Sequence, residues 1–103
     1  MKQPKILVTG ATGKTGSAVV AQLCEKNWPV RAIVRSRDER SEQLELLGAE
    51  TVQADMFDYD QLLAAMQGVQ RAYYCSFYDP YMIQSAAAFA IAAREAQLEA
   101  VVS

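Results

Sequence analysis

Three glycines spaced three residues apart constrain this chain most, because they fall between a short apolar run and an amphipathic helical pattern. Residues 5–9 form the apolar run, which is typical of a parallel strand buried on both faces. From Gly16 to Cys24, apolar residues recur at helical spacing. In such a turn, Gly10 permits the sharp bend out of the strand and Gly13 leaves the backbone open to a ligand. The third glycine lets the helix pack closely on the strand.

The helix that follows this turn offers unpaired N–H groups and a partial positive charge to an anion. A tight turn without a ligand would also explain the glycines, but the preceding strand, the following helix and the flanking hydroxyls favour a phosphate site. A nucleoside-triphosphate loop needs four residues between its glycines, and counting back from Gly13 reaches Val8 in the strand. We therefore interpret the turn as the pyrophosphate site of a dinucleotide. Its predicted binding residues are Gly10, Thr12, Gly13, Lys14, Thr15 and Gly16.

Strands and helices alternate along the rest of the chain. The predicted strands are residues 5–9, 30–35, 50–55, 69–75 and 100–103. The predicted helices run from Gly16 to Asn27, from a cap at Ser36 or Ser41 to Gly48, from Asp58 to Gly68, and from Asp79 or Pro80 to Gln97. The second helix carries Leu44, Leu46 and Leu47, and the third turns Leu62, Leu63 and Met66 inward. This alternation predicts an α/β fold, a Rossmann-type parallel sheet with helices on both faces.

The end of the second strand indicates which dinucleotide is bound. Arg35 lies 19 residues after Gly16, where an NAD site usually carries a carboxylate and an NADP site has a nearby arginine. Arg37 follows, and a guanidinium can grip a 2′-phosphate with two hydrogen bonds. Asp38 and Glu39 lie among the arginines, so a solvated charged loop is the alternative. The pattern favours NADP as the cofactor, with NAD as the alternative.

Two further positions fall at the carboxyl edge of the predicted sheet, where cofactors bind in open α/β folds. Asp55 ends the third strand and either accepts a hydrogen bond from the adenine amino group or caps the following turn. Ser76 and Phe77 follow the fourth strand within an aromatic cluster at residues 73–81. We expect most of these aromatic side chains to be core or wall residues, and one or two to line a nicotinamide or substrate pocket.

Composition excludes several other functions. The net charge of −2 gives no bulk attraction to nucleic acid or a membrane. The chain has no histidine, and Cys24 and Cys75 lie far apart, so we predict neither a metal site nor a histidine-based triad. The longest apolar run has eight residues, whereas a membrane span needs about 20. We expect a cytoplasmic protein with reduced thiols.

These residues resemble the NmrA-like branch of the atypical short-chain dehydrogenase/reductases. The matching segments are residues 8–16, 31–35, 54–55, 68–69 and 92–96. The resemblance implies NAD(P)H binding by the glycine turn, 2′-phosphate contact at Arg35, adenine contact at Asp55 and Met56, and a cofactor wall near Ser76 and Phe77. It covers the N-terminal part of a usual family member. We therefore interpret residues 1–103 as an incomplete NAD(P)-binding domain that lacks the substrate-binding part.

The resemblance does not supply a catalytic site. Short-chain reductases generally use a Tyr-x-x-x-Lys pair, and no tyrosine of this chain has a lysine four residues later. We assign no catalytic residue and interpret the chain as the cofactor half of an oxidoreductase. The alternative is a non-catalytic redox sensor that acts through a protein partner, as some NmrA-like proteins do. An open sheet edge tends to self-associate, so we expect a homodimer or a protein partner to cover it, unless the chain is a fragment.

Overall fold

The computed structural model describes residues 4–74 and 82–102. Within them, the strands are β1 Ile6–Val8, β2 Val30–Val34, β3 Glu50–Gln53, β4 Arg71–Tyr73 and β5 Ala100–Val102. The helices are α1 Lys14–Glu25, α2 Glu39–Leu46, α3 Tyr59–Ala65 and α4 Met82–Glu95. Every strand pairs in parallel, in the order β3-β2-β1-β4-β5. The predicted α/β Rossmann-type fold is confirmed.

The central strand β1 is buried on both faces, because a helical layer covers each side of the sheet. Ile6 and Val8 pack in a cluster with residues of α1 and α2, including Val20 and Leu44. Leu7 points the other way, into a cluster with residues of α3 and α4. The strand order reverses between β1 and β4. In open α/β sheets such a reversal opens a crevice at the carboxyl ends of the strands.

The N-terminus of α2 differs from the prediction, which placed a cap at Ser36 or Ser41. The N-cap is Asp38, whose carboxylate accepts hydrogen bonds from the amides of Arg40 and Ser41. The Ser41 hydroxyl in turn accepts from the Asp38 amide at 2.9 Å, which completes a capping box. A carboxylate suits this position because its charge also interacts favourably with the positive end of the helix dipole.

Leucine burial follows the helix faces in α2 and α3. Leu44, Leu62 and Met66 are fully buried, as their spacing predicts. Leu63, predicted to point inward, is only partly buried. Leu46 is 87% exposed, because the buried face of α2 is narrow and this side chain lies outside it. Gly48 and Gly68 follow their helices with positive φ angles, as expected of residues that end a helix.

Arg31 joins the sheet to the end of α3. Its guanidinium donates to the carbonyl oxygens of Ala65 at 2.7 Å and Gln67 at 2.6 Å, which lie where the helix dipole is negative. The same side chain forms an ion pair with Glu50, which also pairs with Lys5. The hydrogen bond from Lys5, followed by the pairing with Arg31, lowers the pKa of Glu50. This cluster lies at the amino ends of the strands, away from the glycine turn.

In the part of the chain that the structure describes, no helix is long and apolar enough to cross a membrane. The same residues include no group of three or more histidine, cysteine, aspartate or glutamate side chains placed to hold a metal ion.

Candidate nucleotide-binding site

The shape of the glycine turn depends most on two of its three glycines, Gly10 and Gly16. Gly10 has a φ of 58°, which is in the left-handed region. A Cβ atom on Gly16 would lie 2.0 Å from the carbonyl oxygen of Gly10, so any side chain there would collide with the backbone. A Cβ on Gly13 would lie 3.3 Å from the same oxygen, which is tight but not prohibitive. The close packing expected at Gly16 is therefore present, and the helix starts directly against the turn.

The first turn of α1 leaves backbone donors open. Gly13 is the N-cap and has no side chain with which to cap the helix. Its own amide donates back to Gly10 at 3.0 Å. Among the described residues, the amides of Lys14, Thr15 and Gly16 have no acceptor. The side chains of Lys14 and Thr15 are exposed beside these amides. The arrangement fits an anion, because it presents several N–H groups at the positive end of a helix.

The two predicted arginines lie in different environments on the loop between β2 and α2. Arg35 is exposed, and within the described residues its guanidinium has no hydrogen-bond or ion-pair partner. Its backbone carbonyl accepts a hydrogen bond from Nε2 of Gln53 at 3.3 Å. Arg37, by contrast, donates through Nη1 to the hydroxyl of Thr51 at 2.9 Å and lies 3.4 Å from Oε1 of Glu45. Of the two arginines, Arg35 is thus the one without a partner in the part of the chain that the structure describes.

Asp55 caps the turn after β3, which was one of its two predicted roles. Its Oδ1 atom accepts from the amide of Phe57 at 2.8 Å, and its own amide donates to Oε1 of Gln61 at 2.9 Å. The predicted adenine contact is the other role, and it stays a prediction. Met56 is half-buried and packs against the core cluster on the α3 and α4 side of the sheet.

Ser76 and Phe77, predicted to form a cofactor wall, lie outside the described residues. The aromatic side chains just before them are core residues. Tyr74 is buried, and its ring lies 4.9 Å from that of Phe89 on α4, centroid to centroid. Tyr73 is half-buried on the opposite face of the sheet.

A cleft of about 340 Å³ lies between α4 and β5. Phe89, Ala93 and Val101 are among its lining residues, and none of the lining residues belongs to the glycine turn or to the loop after β2. This cleft is therefore separate from the glycine turn and from the loop after β2.

Three residues of the site were not predicted from the sequence: Thr51, Glu45 and Gln53. Their partners are far away in the sequence, since Thr51 is 14 residues from Arg37 and Gln53 is 18 residues from Arg35. One feature of the sequence could have indicated two of them. Thr51 and Gln53 are polar residues at alternate positions of a predicted strand, so they share one face of the sheet. Their proximity to the loop follows from the parallel pairing of β2 with β3.

The glycine turn, the open amides of α1 and the free guanidinium of Arg35 all lie at the carboxyl ends of neighbouring parallel strands. The sequence model of the NmrA-like family matches residues 2–102. The chain belongs to the NmrA-like family. Its fold is the NAD(P)-binding Rossmann fold of that family, which confirms the resemblance found in the sequence.

Known proteins whose sequences are similar to that of this NmrA-like chain include two oxidoreductases. An NAD(P)H azoreductase of Xenophilus azovorans is 35% identical over 91 residues, which are 88% of this chain and 32% of that protein. An NmrA-like family domain-containing oxidoreductase of a Cladobotryum species is 44% identical over 70 residues, 66% of this chain and 21% of that protein. This chain therefore spans about a fifth to a third of the length of these relatives.

A solved structure adds a relative with a nucleotide in place. The NADPH-dependent quinone oxidoreductase of Escherichia coli, complexed with NADPH, is 29% identical and superposes with a TM-score of 0.80. The match covers 93% of this chain and 35% of that protein. The share of that protein is similar to the share of the azoreductase matched by sequence.

Proposed function

We propose that residues 1–103 form the dinucleotide-binding part of an NmrA-like NAD(P)-dependent oxidoreductase. The glycine turn carries this proposal, because the open amides of Lys14, Thr15 and Gly16 follow directly after Gly13, which has no side chain to cover them. A pyrophosphate fits beside these amides, since its oxygens accept from N–H groups and its charge is favoured at a helix N-terminus. Gly13 leaves room for close approach to them, and the hydroxyls of Thr12 and Thr15 are further donors.

We further propose a preference for NADP, with Arg35 as the ligand of the 2′-phosphate. The exposure of its guanidinium and the absence of a described partner support this role. The position of the residue, directly after β2, is where Rossmann domains bind the ribose. The names of an NAD(P)H azoreductase and of an NADPH-dependent quinone oxidoreductase among the similar proteins agree with a nicotinamide cofactor.

The remaining predicted contacts complete the proposed site. Asp55 and Met56 would meet the adenine ring, since they follow β3 at the same edge of the sheet. Ser76 and Phe77 would line the nicotinamide side after β4. In this arrangement the dinucleotide crosses the carboxyl ends of the strands, as cofactors do in open α/β sheets.

When bound, the nicotinamide supplies or accepts a hydride. The residues of this chain bind and orient the cofactor, and we assign none of them to proton transfer. The similar proteins are named for azo and quinone reduction. We therefore propose that the substrate of the whole protein is an unsaturated electron acceptor of that kind, which binds mainly to sequence outside the residues described here.

Titration with NADP⁺, NAD⁺ and ATP tests the proposal, with Arg35→Gln as the variant. We expect saturable binding of both dinucleotides, tighter for NADP⁺, and little binding of ATP. Arg35→Gln should lower NADP⁺ affinity by about tenfold or more, because a hydrogen bond to a charged group is lost. The matched control is Arg71→Gln, since Arg71 is another exposed arginine but lies at the amino end of β4. No binding of either dinucleotide would contradict the proposal.

A further inference from the structure

The loop between β2 and α2 carries two arginines, and the structure uses them differently. Within the described residues, the guanidinium of Arg35 has no partner, whereas that of Arg37 is held by Thr51 and Glu45. We infer that Arg37 is a positioning residue that fixes this loop so that Arg35 can grip a phosphate on the ribose, and that Arg37 is not itself a phosphate ligand. The inference rests on the proposed function and narrows it, because the sequence alone makes both arginines candidate ligands.

The three side chains form a closed set of hydrogen bonds. Arg37 Nη1 donates to the hydroxyl of Thr51 at 2.9 Å, and that hydroxyl donates to Oε1 of Glu45 at 2.6 Å. The Arg37 nitrogen also lies 3.4 Å from the same glutamate oxygen. A second guanidinium nitrogen, Nη2, donates to the carbonyl oxygen of Thr51 at 3.4 Å. Arg37 thus contacts both the side chain and the backbone of β3.

Burial makes this arrangement costly to open. Thr51 is only 8% exposed, so little water is available to replace a lost hydrogen bond. If Arg37 turned toward a ligand, the Thr51 hydroxyl would keep its hydrogen bond to Glu45, but its oxygen would lose the donor it accepts from. Loss of that donor in a buried setting is unfavourable. Arg35 can bind a phosphate without breaking any described side-chain interaction. The energetic difference favours Arg35 as the ligand.

Charge leads to the same assignment. Glu45 faces Arg37 at ion-pair distance, so the two charges largely cancel at a distance. No carboxylate is paired with Arg35 in the described part of the chain. A doubly charged phosphate is therefore attracted to Arg35 and gains little from the neutralised pair.

The strand β3 fixes the loop at two points. Thr51 holds Arg37, and Gln53 donates to the backbone carbonyl of Arg35. The two residues are at alternate positions of β3 and so share a face of the sheet. A loop already fixed in this way loses less conformational freedom when it binds a ligand. If Arg37 positions the loop, its contacts should therefore tighten the binding of the 2′-phosphate.

The test measures dissociation constants for NADP⁺ and NAD⁺ in the protein and its variants. Thr51→Val removes the hydroxyl at nearly constant volume, and Thr51→Ser is the matched control that keeps it. We expect Thr51→Val and Arg37→Gln each to weaken NADP⁺ binding by about threefold to tenfold, with NAD⁺ nearly unchanged. The double variant should be no weaker than either single variant, and Thr51→Ser should keep the wild-type ratio. A merely structural role would weaken both dinucleotides alike.

Other results overturn the inference. A direct ligand role predicts that Arg37→Gln costs as much NADP⁺ affinity as Arg35→Gln, while Thr51→Val frees Arg37 and leaves NADP⁺ binding unchanged or tighter. If Thr51→Val does not fold, Arg37→Gln and Glu45→Ala replace it, since both residues are exposed. The inference requires both to reduce the NADP⁺ preference, and a tighter NADP⁺ complex in Glu45→Ala contradicts it. Failure of the wild type to bind any dinucleotide would instead refute the proposed function. A wild type that prefers NADP⁺ and depends on Arg35, but whose NADP⁺ affinity is unchanged in Arg37→Gln and Thr51→Val, would refute this inference alone.

Discussion

The glycine turn after β1 and the loop after β2 lie at the same edge of the sheet but are built in different ways. The turn is made of backbone, and its shape depends on the contact of Gly16 with Gly10 six residues earlier. The loop is made of side chains, and it depends on Thr51 and Gln53 from a strand that follows later in the chain. The turn is therefore local and intolerant of a side chain at Gly16, whereas the geometry of the loop depends on individual hydrogen bonds. In our proposal the turn decides whether a dinucleotide binds, and the loop decides which one.

The largest expected effect is that of Gly16→Ala. The added methyl group would lie 2.0 Å from a backbone oxygen, so α1 would have to move away from the turn. We expect unfolding to become easier by about 3 kcal/mol, measured by urea denaturation, and dinucleotide binding to be lost. Gly13→Ala is the matched control, because its Cβ would lie 3.3 Å from the same oxygen and its backbone has no positive φ. Equal destabilisation by the two variants would show that the contact with Gly10 is unimportant.

Gly13→Ala should separate binding from folding. Its backbone has a φ of −77°, which alanine adopts readily, and the added methyl would be only in tight contact with Gly10. We expect stability to fall by less than about 1 kcal/mol. Affinity for both dinucleotides should fall by about tenfold or more, because the methyl group keeps a phosphate from the open amides. Unchanged affinity in calorimetric titration would place the pyrophosphate elsewhere.

Removing the capping box of α2 should have a smaller effect, which is confined to the loop after β2 and the start of α2. Asp38→Ala removes the acceptor for two amides at the start of the helix. The hydrogen bond from the Ser41 amide is the main reason that the pKa of Asp38 is lowered. We expect the melting temperature at neutral pH to fall by about 5 °C. We also expect NADP⁺ affinity to fall more than NAD⁺ affinity. Ser36→Ala is the control, and an equal fall in that variant would contradict the observed cap.

The smallest effect concerns acid stability at the opposite edge of the sheet. Because pairing with Lys5 and then Arg31 lowers the folded-state pKa of Glu50, its contribution is fully present above about pH 4.5 and is lost as the pH falls through the lowered pKa. The side chain is 45% exposed, so this contribution is about 0.5 kcal/mol. Glu50→Gln should flatten the pH dependence of the unfolding free energy below about pH 4.5 without changing NADP⁺ affinity. A changed affinity would mean that the two edges of the sheet are coupled.

Much of the fold was predictable because its determinants are local in sequence. The apolar run before Gly10, the helical spacing after Gly16 and the cap at Asp58 each indicate an element from a few neighbouring residues. The parallel orientation of the strands then follows from the alternation of strands and helices. The wrong cap of α2 shows the limit of this reasoning. The predicted caps were only Ser36 and Ser41, although Asp38 between them is also a residue type that caps helices. The observed backbone shows that the carboxylate of Asp38 reaches the amides.

The candidate site was predictable for the turn and only in part for the loop. The glycine spacing indicates a phosphate site by itself, but both arginines of the loop look alike in the sequence. What distinguishes Arg35 from Arg37 is the position of Thr51, which depends on the register of β3 against β2. Such contacts join residues far apart in the chain, so residue patterns alone do not assign them.

The most direct test of the account is the change in cofactor preference caused by Arg35→Asp. Calorimetric titration with NADP⁺ and NAD⁺ gives the ratio of the two dissociation constants in the wild type and in the variant. A carboxylate at this position should repel a 2′-phosphate and accept a hydrogen bond from a ribose hydroxyl. We expect the wild type to prefer NADP⁺ and the variant to prefer NAD⁺. An unchanged ratio would contradict the role of Arg35 as the ligand of the 2′-phosphate.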